Sequence, residues 1–327
     1  MSFNRLDPSD FIVSSDAISA TLWSTQSPTL TDFYTSSAQI AGASGQYYWN
    51  VYQTASTLPE AEIQFAVAYG NENGEGSLAY NSAVLQNSPS STIYGQWQDL
   101  VIGDENTGFA FDGTNQSTAF LAITFERARY KEALLPGSLL LKIGNTNNYT
   151  DNSSVVSSVQ FTEAGRVFNI VLTQSLGGNS YGWLLPDIGT ILLDCGNGTN
   201  GGIINQLGPP GTWYGGASST APPTKPPMEN LIESISLFKI NSQENITSDY
   251  IFVRARSSEF NYSENPSFIS GSTGEVLYNQ FINNPQTYIT TVGLYNDVSE
   301  LLAVAKLSRP LPKDFTSEAL VRIKLDF

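Results

Sequence analysis

The 327 residues carry little charge for their length, because Asp, Glu, Lys and Arg together make up 14% of the chain. An average globular domain has about 25%. The 17 Phe, 16 Tyr and 5 Trp residues are enough to fill a core, which excludes a disordered chain. A net charge of −15 repels phosphate and excludes a broad nucleic-acid-binding surface.

The chain contains no histidine, and its single cysteine is Cys195. This composition excludes Ser-His-Asp and Cys-His catalysis, His-containing zinc sites and an internal disulfide. We interpret Cys195 as a small buried apolar residue. The composition does not exclude glycosidases that use a pair of carboxylates.

The first residues contain no apolar signal segment, and no apolar run approaches the roughly 18 residues of a membrane span. We therefore expect synthesis in the cytoplasm and no membrane partner.

In the first 206 residues, apolar side chains alternate at residues 63–69 and 121–125, and the other strand candidates are short apolar runs of strand length. The strand-sized segments are residues 63–69, 121–125, 139–143, 167–172, 182–185 and 188–193. Residues 126–135 are the best short helix candidate, because Pro136-Gly137 would end a helix there.

Six prolines beside Gly and Ser set residues 207–228 apart as a linker or extended arm. This stretch divides the chain into a β-rich region, residues 1–206, and a C-terminal β domain, residues 229–327. Residues from about 100 to 206 form a candidate inserted domain. Trp213 and Tyr214 lie in the arm, where aromatic side chains are typical interface anchors.

The C-terminal region is the more regular part of the chain. Residues 235–240 and 250–256 read as strands, and residues 288–295 with 301–307 read as a hairpin. Residues 319–327 alternate apolar and charged, so Phe327 would end a strand and is a candidate contact point. The predicted fold is mainly β, with antiparallel sheets in sandwich-like domains and few short helices.

No motif indicates a cofactor or a metal. Residues 74–79 match a dinucleotide-binding pattern, but Pro89 follows too soon for the required helix, so we predict a turn. Residues 194–200 have Gly at two ligand positions of a calcium loop, and structural calcium elsewhere stays an alternative. Two groups of neighbouring carboxylates, Asp99, Asp104 and Glu105, and Glu60 with Glu62, are interpreted as solvated.

Several blocks of sequence, taken in order, carry a family resemblance. They are residues 91–97 (STIYGQW), 127–137, 184–189 (LLPDIG), 259–268 (EFNYSENPSF), 288–297, 300–308 (ELLAVAKLS) and 321–327. In these blocks the chain resembles virion structural proteins of contractile-tailed phages, especially those that infect cyanobacteria.

The resemblance implies a non-enzymatic component of the tail, baseplate or neck, with no catalytic residues. The expected partners are other virion proteins and further copies of the chain, with no nucleic acid and no membrane. Two alternatives stay open: a receptor- or glycan-binding protein at the particle's periphery, and an envelope glycosidase.

Overall fold

The computed structural model describes residues 4–36, 48–75, 88–144, 147–195, 227–263 and 265–326. Contacts divide the chain into two units, with boundaries between Ala17 and Ile18 and between Glu244 and Asn245. We call the stretch from Ile18 to Glu244 the central unit, and the two flanking stretches together the terminal unit. The predicted fold class is confirmed: the molecule is mainly β, with antiparallel sheets and few short helices.

The described residues form seventeen strands and three α-helices. The strands are β1 (Phe11–Thr21), β2 (Tyr34–Thr35), β3 (Tyr48–Tyr52), β4 (Ile63–Asn71), β5 (Ala119–Thr124), β6 (Ala133–Leu134), β7 (Leu140–Ile143), β8 (Asn147–Asp151), β9 (Gln160–Thr162), β10 (Gly165–Leu172), β11 (Gly182–Leu185), β12 (Thr190–Asp194), β13 (Ile235–Lys239), β14 (Asn241–Ala255), β15 (Thr287–Tyr295), β16 (Leu301–Lys313) and β17 (Ala319–Asp326). The helices are α1 (Pro89–Ile102), α2 (Pro227–Ser234) and α3 (Asn279–Asn283). None of them is long and apolar enough to cross a membrane.

The central unit is built on one strand sequence, β13-β7-β8-β10-β11-β12-β5-β4-β3-β2, with β9 paired to β10. Neighbouring strands are antiparallel throughout. Strand β10 belongs to both halves of this sheet, because Phe168 pairs with β11 whereas Ile170 pairs with β8.

Both faces of the middle strands are buried. In β5, Leu121 and Ile123 lie in the larger apolar cluster, whereas Phe120 and Ala122 lie in a second cluster on the opposite face. Strand β12 divides its side chains in the same way. Strands covered on both sides carry near-continuous apolar runs, as these two do.

The two halves of the sheet face each other across an aromatic core. Leu30 and Phe238 exchange backbone hydrogen bonds of 2.8 and 2.9 Å, which join the segment before β2 to β13 at the other end of the strand order. The rings of Phe65 and Phe238 lie 5.4 Å apart, and Trp23 packs against both. This arrangement is sandwich-like, as the sequence predicts.

Helix α1 covers the second apolar cluster, where it buries Tyr94 and Val101. Pro89 occupies the first turn, where its missing N–H costs nothing. Gly103 ends the helix at φ 74°, and its N–H donates to the carbonyl oxygens of Gln98 and Asp99. A left-handed residue at this position is usually glycine, because other side chains clash there.

The helix predicted for residues 126–135 is wrong. Only Arg127–Arg129 form a single 3-10 turn, and Ala133–Leu134 form β6. The backbone of β6 pairs with Ser242 and Gln243 of β14, so a partner distant in sequence supplies hydrogen bonds that a helix would have supplied locally.

The observed division differs from the predicted boundaries. Helix α2 and strand β13 lie where the prediction placed the end of the linker, at residue 228, and the start of the C-terminal domain, at residue 229. They bury Met228, Leu231 and Phe238 in the core of the central unit. The candidate inserted domain from about residue 100 is continuous with the rest, because β5 pairs with β4 along its whole length. The Pro-rich stretch at 207–226 lies outside the described residues.

Candidate interaction surfaces

The terminal unit has a small core. Its sheet has the strand order β1-β14-β17, and β14 and β17 pair antiparallel from Ser248 to Ala255. Ile251, Val321 and Ile323 form its cluster of buried apolar side chains. Alternate residues of β17 point to solvent, and Leu320 among them is 58% exposed. A core of this size buries little apolar area, so much of the unit's apolar surface stays accessible.

The β15–β16 hairpin packs one face on this core. Val292 pairs with Ala305 and Leu294 with Ala303, and most of this face contacts the buried core of the unit. The opposite face, which we call the hairpin outer face, points away from the core. It consists of Tyr295, Leu302, Val304 and Lys306. Leu302 is 68% exposed and Val304 is 58% exposed.

Because Gly293 has no side chain, the ring of Tyr295 can lie over its backbone on this outer face. A Cβ atom at Gly293 would lie 2.9 Å from the ring of Tyr295 and 3.3 Å from Leu301. The ring of Tyr295 therefore covers the Gly293 backbone, opposite Val304 in the neighbouring strand. Aromatic and β-branched side chains paired in this way stabilise a hairpin and present a flat apolar surface.

The end of the hairpin is held by a buried ammonium group. Lys313 has no exposed surface, and its Nζ donates to the carbonyl oxygens of Ser257 and Asp314 and to Oδ1 of Asn261, at 2.8 to 3.0 Å. Thr287, its partner in the register, donates to the carbonyl oxygen of Phe260. These bonds fix the hairpin to the loop that follows β14.

A second exposed surface lies where helix α1 ends in the central unit. The backbone N–H of Glu163 donates to the carbonyl oxygen of Val101, which joins the segment after β9 to the end of the helix. The two segments joined by this contact carry exposed apolar and acidic side chains, and we call these side chains the acidic surface. It consists of Asp99, Leu100, Asp104, Glu105, Phe161 and Glu163.

The acidic surface includes four carboxylates, those of Asp99, Asp104, Glu105 and Glu163. Phe161 is 73% exposed and lies opposite Arg166, which pairs with Asp187, in the β9–β10 register. Hydrogen bonds from Thr107 and Asn106 lower the pKa of Asp104, so this carboxylate stays ionised. Residues 6–126 contain no Lys or Arg. The carbonyl end of α1 adds partial negative charge at the same place.

The two strands of the hairpin carry a net positive charge. Strand β16 carries Lys306, Arg309 and Lys313, and neither β15 nor β16 contains an acidic residue. Lys306 and Arg309 are exposed. The acidic residues Asp297 and Glu300 lie in the connecting loop, where Glu300 accepts a hydrogen bond from Asn296.

The polar groups inside the central unit stabilise its structure. Ser117 donates to the buried carboxylate of Asp194 at 2.5 Å, and Asp151 accepts from the backbone N–H groups of Gly137 and Ser153. Burial and the neighbouring Asp194 raise the pKa of the Cys195 thiol well above its usual value. The interpretation of Cys195 as a buried small residue is confirmed.

A polar recess of about 340 Å³ in the central unit is lined by residues that include Trp23, Glu62, Glu126 and Arg129. The guanidinium nitrogen Nη2 of Arg129 lies 3.0 Å from Oε2 of Glu62 and forms an ion pair with it. The buried Nε1 of Trp23 has no hydrogen-bond partner among the described residues. Among those same residues, no group of three or more Cys, Asp or Glu side chains is arranged to hold a metal ion.

The predicted contact residues Trp213, Tyr214 and Phe327 lie outside the described residues. The surfaces that the structure shows were not predicted. One signal for the hairpin was present in the sequence, because residues 301–305 are apolar at every position instead of alternating. Such a run indicates a strand with two apolar faces.

No protein-family model, no curated protein and no solved structure matches this chain.

Proposed function

We propose that this chain is a structural component of a tailed phage virion, in the tail, baseplate or neck, and that it acts by binding other virion proteins. The observation that carries the proposal is the hairpin outer face, where Leu302 and Val304 are exposed on strand β16. Soluble monomers rarely leave contiguous apolar faces uncovered, and such faces mark interaction sites. The resemblance described above supplies the kind of particle.

The backbone of the terminal unit supports the same role. Within the described residues, β15 and β16 pair only with each other, and β17 pairs only with β14. Their outer edges therefore offer N–H and C=O groups that can bind a further strand. The proposed partners are other virion proteins and further copies of the chain, and the proposed location is the virion, after synthesis in the host cytoplasm.

Quantitative mass spectrometry of purified particles tests this proposal. We expect a fixed copy number per particle that stays constant through successive gradient purifications. An abundant host cytoplasmic protein, measured in the same samples, gives the contamination level. A chain that falls to that level during purification would contradict the proposal.

A peripheral glycan-binding protein is the second candidate, and the polar recess favours it. The carboxylates of Glu62 and Glu126 line this recess, and carboxylates hydrogen-bond sugar hydroxyls. A glycan array probed with the purified chain and with Glu126→Ala tests this candidate. Binding to a glycan that Glu126→Ala abolishes would support the glycan-binding candidate, and an array that shows no binding would contradict it. Activity on envelope polysaccharide that Glu126→Gln abolishes would indicate the glycosidase.

A further inference from the structure

We propose that Lys313 and Asn261 form an isopeptide bond, a covalent amide that joins their two side chains inside the terminal unit. The bond fixes the end of the β15–β16 hairpin to the loop after β14, where hydrogen bonds already hold the two together. It forms within a single chain, so it does not depend on the particle that the chain joins.

The two side chains meet away from water. Lys313 has no exposed surface and Asn261 is 5% exposed, and among the described residues Lys313 is the only buried Lys or Arg. Its Nζ lies 2.9 Å from Oδ1 of Asn261. Since a C=O bond is about 1.2 Å long, the amide carbon Cγ lies within about 4 Å of Nζ. Holding two reacting groups this close lets them react without a chance encounter.

One shared acceptor orients the two nitrogen atoms. The carbonyl oxygen of Ser257 accepts from Nζ of Lys313 at 3.0 Å and from Nδ2 of Asn261 at 2.6 Å. The nitrogen that attacks and the nitrogen that leaves are therefore bound to the same oxygen. This arrangement shortens the path of the protons that pass from one nitrogen to the other.

The backbone beside Asn261 is strained. Phe260 has φ 53°, in the left-handed region that residues other than glycine rarely adopt. Its carbonyl oxygen accepts from the hydroxyl of Thr287 at 2.6 Å, and Thr287 pairs with Lys313 in the hairpin register. Strain of this kind persists where the surrounding structure enforces it, and it clusters at functional sites. Here the strained residue immediately precedes the amide that contacts Lys313.

The buried charge of Lys313 favours the reaction. A buried charge without a counter-ion is costly, and none of the ion pairs among the described residues includes Lys313. The amide product carries no charge. Its formation therefore removes the charge from the site.

Bond formation releases one ammonium ion. Nζ of Lys313, after loss of a proton, attacks Cγ of Asn261, and a new C–N bond forms while the bond between Cγ and Nδ2 breaks. Nδ2 leaves with the two protons that Nζ gives up, so atoms and charge balance without an oxidant or a reductant. No carboxylate of a described residue contacts Nζ to accept a proton, so we expect the bond to form over hours to days.

Intact-mass measurement of the purified full chain in denaturant tests the proposal. We expect molecules that are lighter by one ammonia, and their fraction should increase during several days at neutral pH. Lys313→Met and Asn261→Ala should each abolish this loss of mass. Lys306→Met, which removes an exposed lysine from the same strand, is the matched control and should retain it.

Peptide mapping locates the bond, because cyclisation of another asparagine also releases ammonia. Trypsin does not cleave after an acylated lysine. We therefore expect a branched peptide that joins residues 257–306 to residues 307–322, with no cleavage after Lys313. A chain that keeps its full mass after the incubation, or that loses ammonia only at other residues, would overturn the proposal.

Discussion

The ammonium of Lys313 is an unusual group to find in the terminal unit, because it is fully buried and its three hydrogen-bond acceptors are neutral oxygens. A buried charge is tolerated when its hydrogen bonds are satisfied, and here three are made. Removing the charged group takes the Lys313 donor away from Oδ1 of Asn261 and from the carbonyl oxygens of Ser257 and Asp314, although Ser257 still accepts from Nδ2 of Asn261.

We predict that Lys313→Met lowers the free energy of unfolding of the terminal unit by about 2–4 kcal/mol. Lys306→Met, on an exposed position of the same strand, is the matched control and should change it by less than about 0.5 kcal/mol. Urea denaturation, monitored by tyrosine fluorescence, measures both. Equal stability of the two variants would contradict the role assigned to Lys313.

The ion pair between Arg166 and Asp187 makes stability depend on pH. Desolvation raises the pKa of Asp187, but hydrogen bonds from the guanidinium and backbone N–H of Arg166 outweigh it, so the pKa is lowered overall. A carboxyl whose pKa is lower in the folded than in the unfolded chain stabilises the fold when the pH is above its pKa in the unfolded chain. This stabilising contribution is lost as the pH falls through the pKa that the carboxyl has in the folded chain.

We predict that Asp187→Asn lowers the free energy of unfolding by about 1 kcal/mol near pH 7. The effect is this small because Arg166 and Asp187 are partly exposed and water screens their interaction. The difference from the parent chain should shrink as the pH falls below the ordinary Asp pKa. Denaturation series at several pH values measure it, with Glu60→Gln as an exposed control. A difference that grows in acid would contradict the assigned sign.

Helix α1 allows a comparison of two glycines within one element. Gly103 ends the helix at φ 74°, where a Cβ atom would also lie 2.9 Å from Glu163 Cγ. Gly95 lies inside the helix, and no atom lies within 4 Å of its Cβ position. The same substitution should therefore have opposite effects at the two positions.

We predict that Gly103→Ala destabilises the central unit by about 1–2 kcal/mol, because alanine is strained in the left-handed region. Gly95→Ala should stabilise it by about 0.5–1 kcal/mol, because alanine loses less backbone entropy in a helix. Thermal unfolding of both variants provides the comparison. A shift of the same sign in both would show that α1 does not end as described.

Strands were more predictable than helices in this chain. Alternation of apolar side chains identified β4 and β5, because a strand buries a face at a period of two, and an apolar run of strand length identified β10. Helix α1 was missed, although Pro89 near its start and Gly103 after its end are recognisable signals. Residues 126–135 have helical composition, but pairing with β14 determines their conformation. Local propensity cannot show such pairing.

The central unit contains its own core. The residues of its two apolar clusters lie between Leu22 and Ile240, including those of α2 and β13 beyond the Pro-rich stretch. A boundary drawn from composition alone therefore cut through the core, because proline content marks irregular backbone and does not report which segments pack together.

We predict that a fragment of residues 18–244 folds on its own and unfolds cooperatively, with a thermal midpoint within a few degrees of the corresponding transition of the full chain. Circular dichroism melting of the fragment measures this. A fragment that ends at residue 206 lacks α2 and β13 and should show no cooperative transition. Cooperative unfolding of the shorter fragment would contradict the core described here.

The interaction surfaces were less predictable than the fold, because they combine segments distant in sequence. The N–H of Glu163 bonds to the carbonyl oxygen of Val101, which brings the segment after β9 to the end of α1, about 60 residues away in sequence. The apolar run at residues 301–305 indicated two apolar faces, but the register of the hairpin was needed to show which face is left open.

The central claim is that the hairpin outer face is covered by another protein in the particle. Amine labelling of Lys306, quantified by mass spectrometry, tests it in the dilute purified chain and in intact virions. Labelling of Lys131, an exposed lysine of the central unit, shows that the reagent reaches the chain. We predict that Lys306 is labelled in the dilute chain and protected in virions, and equal labelling in both states would contradict the claim.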